Sequence, residues 1–217
     1  MESIELTKEQ KEFPIWLVGD SYPSRLVNVL KVPLDPKHPT RHTIWTPIWD
    51  AIQESVYPKR VDGKHLFICN AAKKGELDEK PNKDFKDVAV KDRIALFSSY
   101  LTKNRPPMVL CFGAWAYEFV RRANGCTPTK NPTIHWGVTE LGRAFRKSCE
   151  QFHPKEITIF PLLHQTVALQ WQHANKNFAP NSTDNYFRYT GNALGELLNK
   201  NKSAERLKVI WLPAQQA

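Results

Sequence analysis

The sequence predicts an α/β fold: a single three-layer α/β/α domain around a central, mostly parallel four-stranded sheet. Three observations carry this. Four short apolar runs are continuous rather than alternating, as strands buried on both faces are. Segments with helical periodicity lie between them, and strand–helix alternation is the signature of a parallel sheet. The chain has 217 residues and is 41% apolar, which suits one sizeable core better than two small ones.

The strands are expected at 15–19, 65–70, 108–113 and 156–163. A helix over 47–56 begins with a proline, whose missing N–H costs nothing in a first turn. A second, over 90–103, carries Ile94, Leu96, Phe97, Tyr100 and Leu101 at helical spacing. A third, 114–123, follows the third strand with almost no loop. A fourth, 138–152, precedes the last strand, and a fifth, 183–199, follows it. The long polar stretches 31–43, 73–87 and 125–136 read as substrate-contacting surface. Residues 207–212 either form a short edge strand or simply pack. The whole chain, 1–217, is read as one domain, with its motif-bearing core at about 14–200.

Composition narrows the function. No apolar run approaches the ~20 residues that cross a bilayer, and the N-terminus lacks an apolar signal core. A cytoplasmic protein is expected, associated with the nucleoid if bacterial. The four cysteines, Cys69, Cys111, Cys126 and Cys149, form no C-x-x-C pair, which argues against zinc and iron–sulfur sites. Lys plus Arg number 31 against 22 Asp plus Glu, a formal charge of +9 that favours polyanionic partners. Seven tryptophans and eleven phenylalanines stand beside that charge, and aromatics stack on unpaired bases as well as filling cores. Neither a Walker lysine motif nor GxGxxG occurs.

In parallel sheets ligands bind at the C-terminal strand ends. The first ends in Gly19-Asp20, where the carboxylate either caps the next helix or makes an Asx turn, or else orients water or stabilises cationic charge on a substrate. The second ends at Asn70, whose amide either makes a turn or reads a polar edge with both donor and acceptor. Lys73, just beyond, meets phosphates or water. The third end, Gly113-Ala114, reads as structural. The fourth ends at His164, which either satisfies itself locally or donates to a developing oxyanion.

In this order the segments resemble the motifs of the uracil-DNA glycosylase superfamily. "VGDSYPS" is similar to its first motif, "LFICNAAKK" to its second-strand Asn motif, and "VLCFGAWAYEFV" to the strand–Gly–helix segment that follows. "FPLLHQTVAL" resembles the second catalytic motif, and "HPTRHTIWTPIWDAI" the aromatic-bearing stretch of the hypoxanthine-removing branch. The motifs run from Trp16 to about Leu169, roughly three quarters of the chain.

The resemblance implies a monofunctional DNA glycosylase that flips out a damaged or modified base and leaves an abasic site. Asp20 matches the acidic residue that assists water attack on the sugar, and His164 the one that stabilises charge on the departing base. Asn70 matches the Asn that binds the flipped base, Trp45 falls in the stretch that supplies a stacking aromatic, and Tyr22 stands at the base pocket. Ser24, Lys73, Gln165, Thr166 and Leu169 would lie against the DNA, in the last case within the loop 167–169 that enters the duplex. The implied partner is DNA, double- or single-stranded, bound by a monomer with no metal, no other cofactor and no membrane. The alternative is a non-catalytic binder of modified DNA on the same fold. Three departures bear on the substrate. The first-motif proline comes a residue late, at Pro23; Gln165 replaces a usual proline; and the cluster cysteines of the iron–sulfur branch are missing. An altered pocket points to a base larger than uracil, such as a modified phage pyrimidine, and to a role in repair or in phage defence.

Overall fold

The computed structural model describes residues 13–20, 37, 41–72, 85–170 and 176–213, without the side chains of Thr133, Gln165, Thr166 and Gln170. Its four strands are β1 (Ile15–Gly19), β2 (Leu66–Asn70), β3 (Met108–Phe112) and β4 (Thr158–Leu162), all parallel, in the order β2-β1-β3-β4. The helices are α1 (Thr46–Val56), α2 (Val88–Asn104), α3 (Ala114–Ala123), α4 (Pro132–His135), α5 (Val138–Glu150), α6 (Gln165–Gln170) and α7 (Tyr186–Lys200). The expected strand–helix alternation is present, with helices on both sheet faces.

Side-chain alternation assigns the faces. Trp16, Phe67, Cys69, Val109 and Cys111 point one way. Against them lies Phe97 of α2, its ring 5.8 Å from Trp16 and 5.4 Å from Phe119 of α3. Leu17, Leu110, Phe112 and Phe160 point the other way, where Trp45 meets Phe112 and Phe145 of α5 meets Phe160. Cys69 and Cys111 are buried in this core, and burial pushes the Cys69 thiol up to about 12 and that of Cys111 well above its ordinary value. Both stay protonated at neutral pH and behave as small hydrophobes.

Several boundaries move for identifiable reasons. α2 starts at Val88 because Asp87 accepts from the Ala89 amide, and α7 starts at Tyr186 because Asn185 accepts from Arg188. Leu96, counted with the apolar stripe of α2, is 44% exposed, while Phe97 and Leu101 are buried. A π-helical turn, Arg41–Trp45, runs straight into α1. Residues 207–212 do not join the sheet. They form a 3-10 turn, Lys208–Ile210, and a lone antiparallel bridge from Trp211 to Val61, with Leu207 and Ile210 buried.

Of the three polar stretches, most of 31–43 and 73–87 lies outside the described residues. The third, 125–136, is pinned. Fully buried Glu118 accepts from the Thr129 amide at 2.7 Å, Arg121 and Arg122 at 2.8 Å each, and the Trp136 indole at 3.0 Å. Burial works to raise its pKa, but the Thr129, Arg122, Trp136 and Arg121 bonds together hold it below the ordinary value. A buried carboxylate with four donors is structural, and it holds this loop against α3.

α1 and α7 pack with their backbones close. A Cβ on Gly191 would sit 2.4 Å from Ala51 Cβ and 2.6 Å from the Ile48 carbonyl, and one on Gly195 would sit 2.7 Å from Ser55 Cβ. Helix propensity alone says that Gly191→Ala stabilises by about 1 kcal/mol. Overpacking costs about 1–3 kcal/mol, and here part of the clash is with backbone that has no rotamer to change. We expect Gly191→Ala to lower the Tm by several degrees in a calorimetric scan; a raised Tm would mean that the helices are not packed this closely.

Candidate functional site

Chain order and spatial order part company between β1 and β3. From β1 the chain passes through α1 to β2 on one side, then back through α2 on the opposite face to β3 on the other. The crevice over the C-terminal ends of β1 and β3 is the position where open α/β sheets bind ligands. Asp20 follows β1 and Gly113 follows β3, so both stand at this crevice.

A hydrogen bond spans it. Asp20 Oδ1 accepts from the Ala116 amide, in the first turn of α3, at 3.0 Å. Gly113, the residue that opens α3, has no side chain to satisfy those amides, and its φ of 99° is a left-handed conformation that glycine tolerates. Asp20 supplies the cap from 96 residues away in the chain. The expectation that it caps a helix is met in kind. The capped helix is α3, reached across the crevice, rather than the next one along the chain.

The register brings the other strand ends alongside. Gly19 pairs with Asn70, the Ala71 and Ala72 amides donate to the Gly19 and Asp20 carbonyls at 2.8 and 2.9 Å, and the Gly113 amide donates to Leu162 at 2.8 Å. Asn70, Asp20 and His164 therefore lie along one edge. At ~4.8 Å per strand, the backbones of Asp20 and His164 are roughly 10 Å apart, with β3 between them. Two glycines make room for the side chains. A Cβ on Gly19 would lie 2.6 Å from Asn70 Oδ1, and one on Gly113 would lie 3.1 Å from His164 Cβ. All three polar side chains are half-buried.

Two supporting residues escaped the sequence reading. Buried Arg93 of α2 donates to the carbonyls of Ala71 and, at 3.2 Å, Asn70, clamping the end of β2. Its signal was visible, since Arg93 shares the buried stripe of α2 with Phe97 and Leu101 at four-residue steps. Buried Tyr186 accepts from the Leu163 amide at 2.8 Å, fixing the backbone just before His164. Burial pushes its phenol pKa up, so it stays neutral. Nothing local in the sequence marks that contact.

The remaining expected residues divide. Trp45 is only 7% exposed, its ring 6.3 Å from Phe112 and 5.6 Å from Trp49. At that exposure the ring offers a stacking base little free face. It instead walls the sheet beside the end of β3. In α6, Ala168 is buried and Val167 half-buried, whereas Leu169 is 51% exposed. Tyr22, Ser24 and Lys73, and the side chains of Gln165 and Thr166, lie outside the described residues. Among the described residues no three His, Cys, Asp or Glu side chains gather as a metal site, and no helix is long and apolar enough to cross a membrane.

A scan against protein-family models found no match to this chain, and neither did searches of curated proteins and of solved structures.

The Asp20 bond gives a stability test. Removing an N-cap acceptor costs about 1 kcal/mol, while Asn replaces Asp at caps with little loss. Urea unfolding should show Asp20→Ala about 1 kcal/mol less stable than wild type and Asp20→Asn close to it. Equal stability of all three would show that the cap carries no weight.

Proposed function

We propose that this protein is a monofunctional DNA glycosylase, hydrolysing the N-glycosidic bond of a damaged or modified base flipped out of DNA. The observation that carries the reading is the row of Asn70, Asp20 and His164 along one edge of the sheet, with the Asp20 carboxylate fixed over the β1–β3 crevice.

The chemistry follows from the order of that row. Flipping exposes the bond at a cost of a few kcal/mol, least for mismatched, damaged or unpaired bases. As the bond breaks, positive charge spreads over the sugar and negative charge over the leaving base. Asp20, held by the Ala116 amide, stabilises the sugar cation and orients the attacking water. Asn70 offers the base edge a donor and an acceptor. His164 donates to the charge that builds on the departing base. The roughly 10 Å between the Asp20 and His164 backbones suits this division, one group on the sugar and the other on the far side of the base. Lys and Arg contacts to phosphates offset part of the flipping cost in a salt-dependent way. Bases larger than uracil, including modified phage pyrimidines, are the substrates that the altered first motif favours.

The decisive assay incubates the protein with oligonucleotides carrying uracil, hypoxanthine, xanthine or hydroxymethylated or glucosylated cytosine, and with phage genomic DNA. Released bases are identified by mass spectrometry. Wild type should release one of them. Asp20→Asn keeps the cap but removes the charge, so with His164→Ala it should abolish release while the protein stays folded and binds DNA. One group of this kind contributes about 10²–10³ in rate. Affinity for modified DNA with no abasic product from wild type would replace the glycosylase with a binder, and wild-type release by the double variant would remove these residues from the chemistry.

Leu169 is the exposed apolar residue of 167–169 and the one we assign to fill the duplex where the base has left. Leu169→Ala should lower release from duplex by roughly tenfold, about 1.4 kcal/mol of the flipping cost, and leave single-stranded substrate unaffected. An equal fall on both substrates would assign Leu169 to folding or to general binding.

A further inference from the structure

Because the strands are all parallel, their N-terminal ends share the edge opposite the candidate site, roughly 16 Å away for strands of five residues. Segment 57–65 leads into β2 there, and 103–107 leads into β3. Segment 200–213 leaves α7 and crosses both. The Leu212 amide donates to Arg60 at 2.9 Å, the Asp62 amide donates to Ile210 at 2.7 Å, and Arg206 donates to the Asn104 carbonyl at 2.9 Å.

Most of the chain's excess charge is gathered here. The three segments hold nine Lys or Arg and two carboxylates, Asp62 and Glu205, so nine less two, or +7, of the total +9. Asp62 is already paired with Lys64 at 2.8 Å. Lys59 Nζ lies 5.9 Å from the Trp211 ring centroid, with Lys202 as a neighbouring amine and no described carboxylate paired to either. The neighbouring Lys202 amine and, to a lesser degree, burial hold the Lys59 pKa below its ordinary value. Two ammonium groups held side by side repel each other until an anion lies between them. Two residues before Lys59, the Tyr57 ring is 77% exposed.

We propose that this edge docks single-stranded nucleic acid, with backbone phosphates on Lys59 and Lys202 and a base stacked on Tyr57. The ring decides among polyanions. A basic surface beside an exposed aromatic is how unpaired strands are held, because each base brings a phosphate and an open π-face together. A duplex keeps those faces covered, and an acidic protein does not bring one with each charge. The surface is independent of the chemistry at the opposite edge, and a chain gripped here leaves the candidate site open to another stretch of DNA.

The test measures fluorescence anisotropy of a labelled, unmodified oligothymidylate of roughly 20 nucleotides with the full chain, between about 50 and 200 mM salt. The Asp20→Asn/His164→Ala background serves as the starting protein, so the outcome does not depend on base release. Adding Lys59→Ala and Lys202→Ala should weaken binding at least tenfold and reduce the log–log salt slope by about 1.4, at ~0.7 per single-strand phosphate contact. Tyr57→Leu should weaken it roughly fivefold or more, and Tyr57→Phe should not. Unchanged affinity and slope in the lysine variant would overturn the proposal. So would equal binding by the Leu and Phe variants, or displacement of the oligonucleotide as readily by duplex or by polyglutamate.

Discussion

The Ala116 amide and the Asp20 carboxylate meet across the line where the sheet changes direction. Each needs the other for a separate reason. The first turn of α3 presents amides with no partner of their own, and Gly113 has no side chain to offer them. Asp20 brings a charge to the end of a buried strand, where a charge without a donor is costly. One hydrogen bond meets both needs, ties β1 to α3, and sets the direction of the only carboxylate in the candidate row. A group placed this way is already oriented before anything binds, so little reorganisation is left for a reaction to demand.

The rest of the edge is built on the same plan, with backbone fixed from behind so that side chains above it stay in place. Arg93 reaches from α2 to the carbonyls at the end of β2. Tyr186 reaches from α7 to the amide just before His164. These supports come from opposite faces of the sheet, so the edge depends on both helical layers being packed at once. Gly191 and Gly195 matter at this distance because they set how closely α7 approaches α1, and α7 carries Tyr186. The precision of the site is in this sense a property of the whole domain.

The two edges of the sheet divide the electrostatics. The C-terminal ends hold a short row of single polar groups, each half-buried. The N-terminal ends hold most of the net positive charge. A parallel sheet makes such a division natural, because helix N-termini gather at one edge and helix C-termini at the other, where basic residues are favoured by the helix dipole. Lys103 and Lys200 stand in the last turns of α2 and α7 in keeping with that rule. Lys59, Lys202 and exposed Tyr57 go beyond it, since no helix end asks for two ammonium groups beside each other.

The strands and main helices were legible because their cause is local. A continuous apolar run of five or six residues has few uses other than a strand buried on both sides, and Pro47 and Gly113 mark boundaries by their own backbone chemistry. The short elements were not. The π-helical turn before α1 ends in Trp45, which packs on Phe112 of β3, and α4 is flanked by Thr129 and Trp136, both bonded to Glu118; neither arrangement leaves a periodic pattern in the sequence. In the candidate row, the sequence by itself supplied Asp20, Asn70 and His164, each at the end of an apolar run. The burial of Trp45 was not legible, because an aromatic looks the same in sequence whether it is open or, as here, 7% exposed beside Phe112 and Trp49. The sequence determined which residues stand at strand ends. Only the tertiary structure decided which ends are neighbours, that Asp20 caps a helix 96 residues away, and that Leu169 rather than Val167 or Ala168 faces outward. The physical reason is that parallel pairing joins strands far apart in the chain, so strand order and side-chain cover are set by packing between segments that carry no local record of each other.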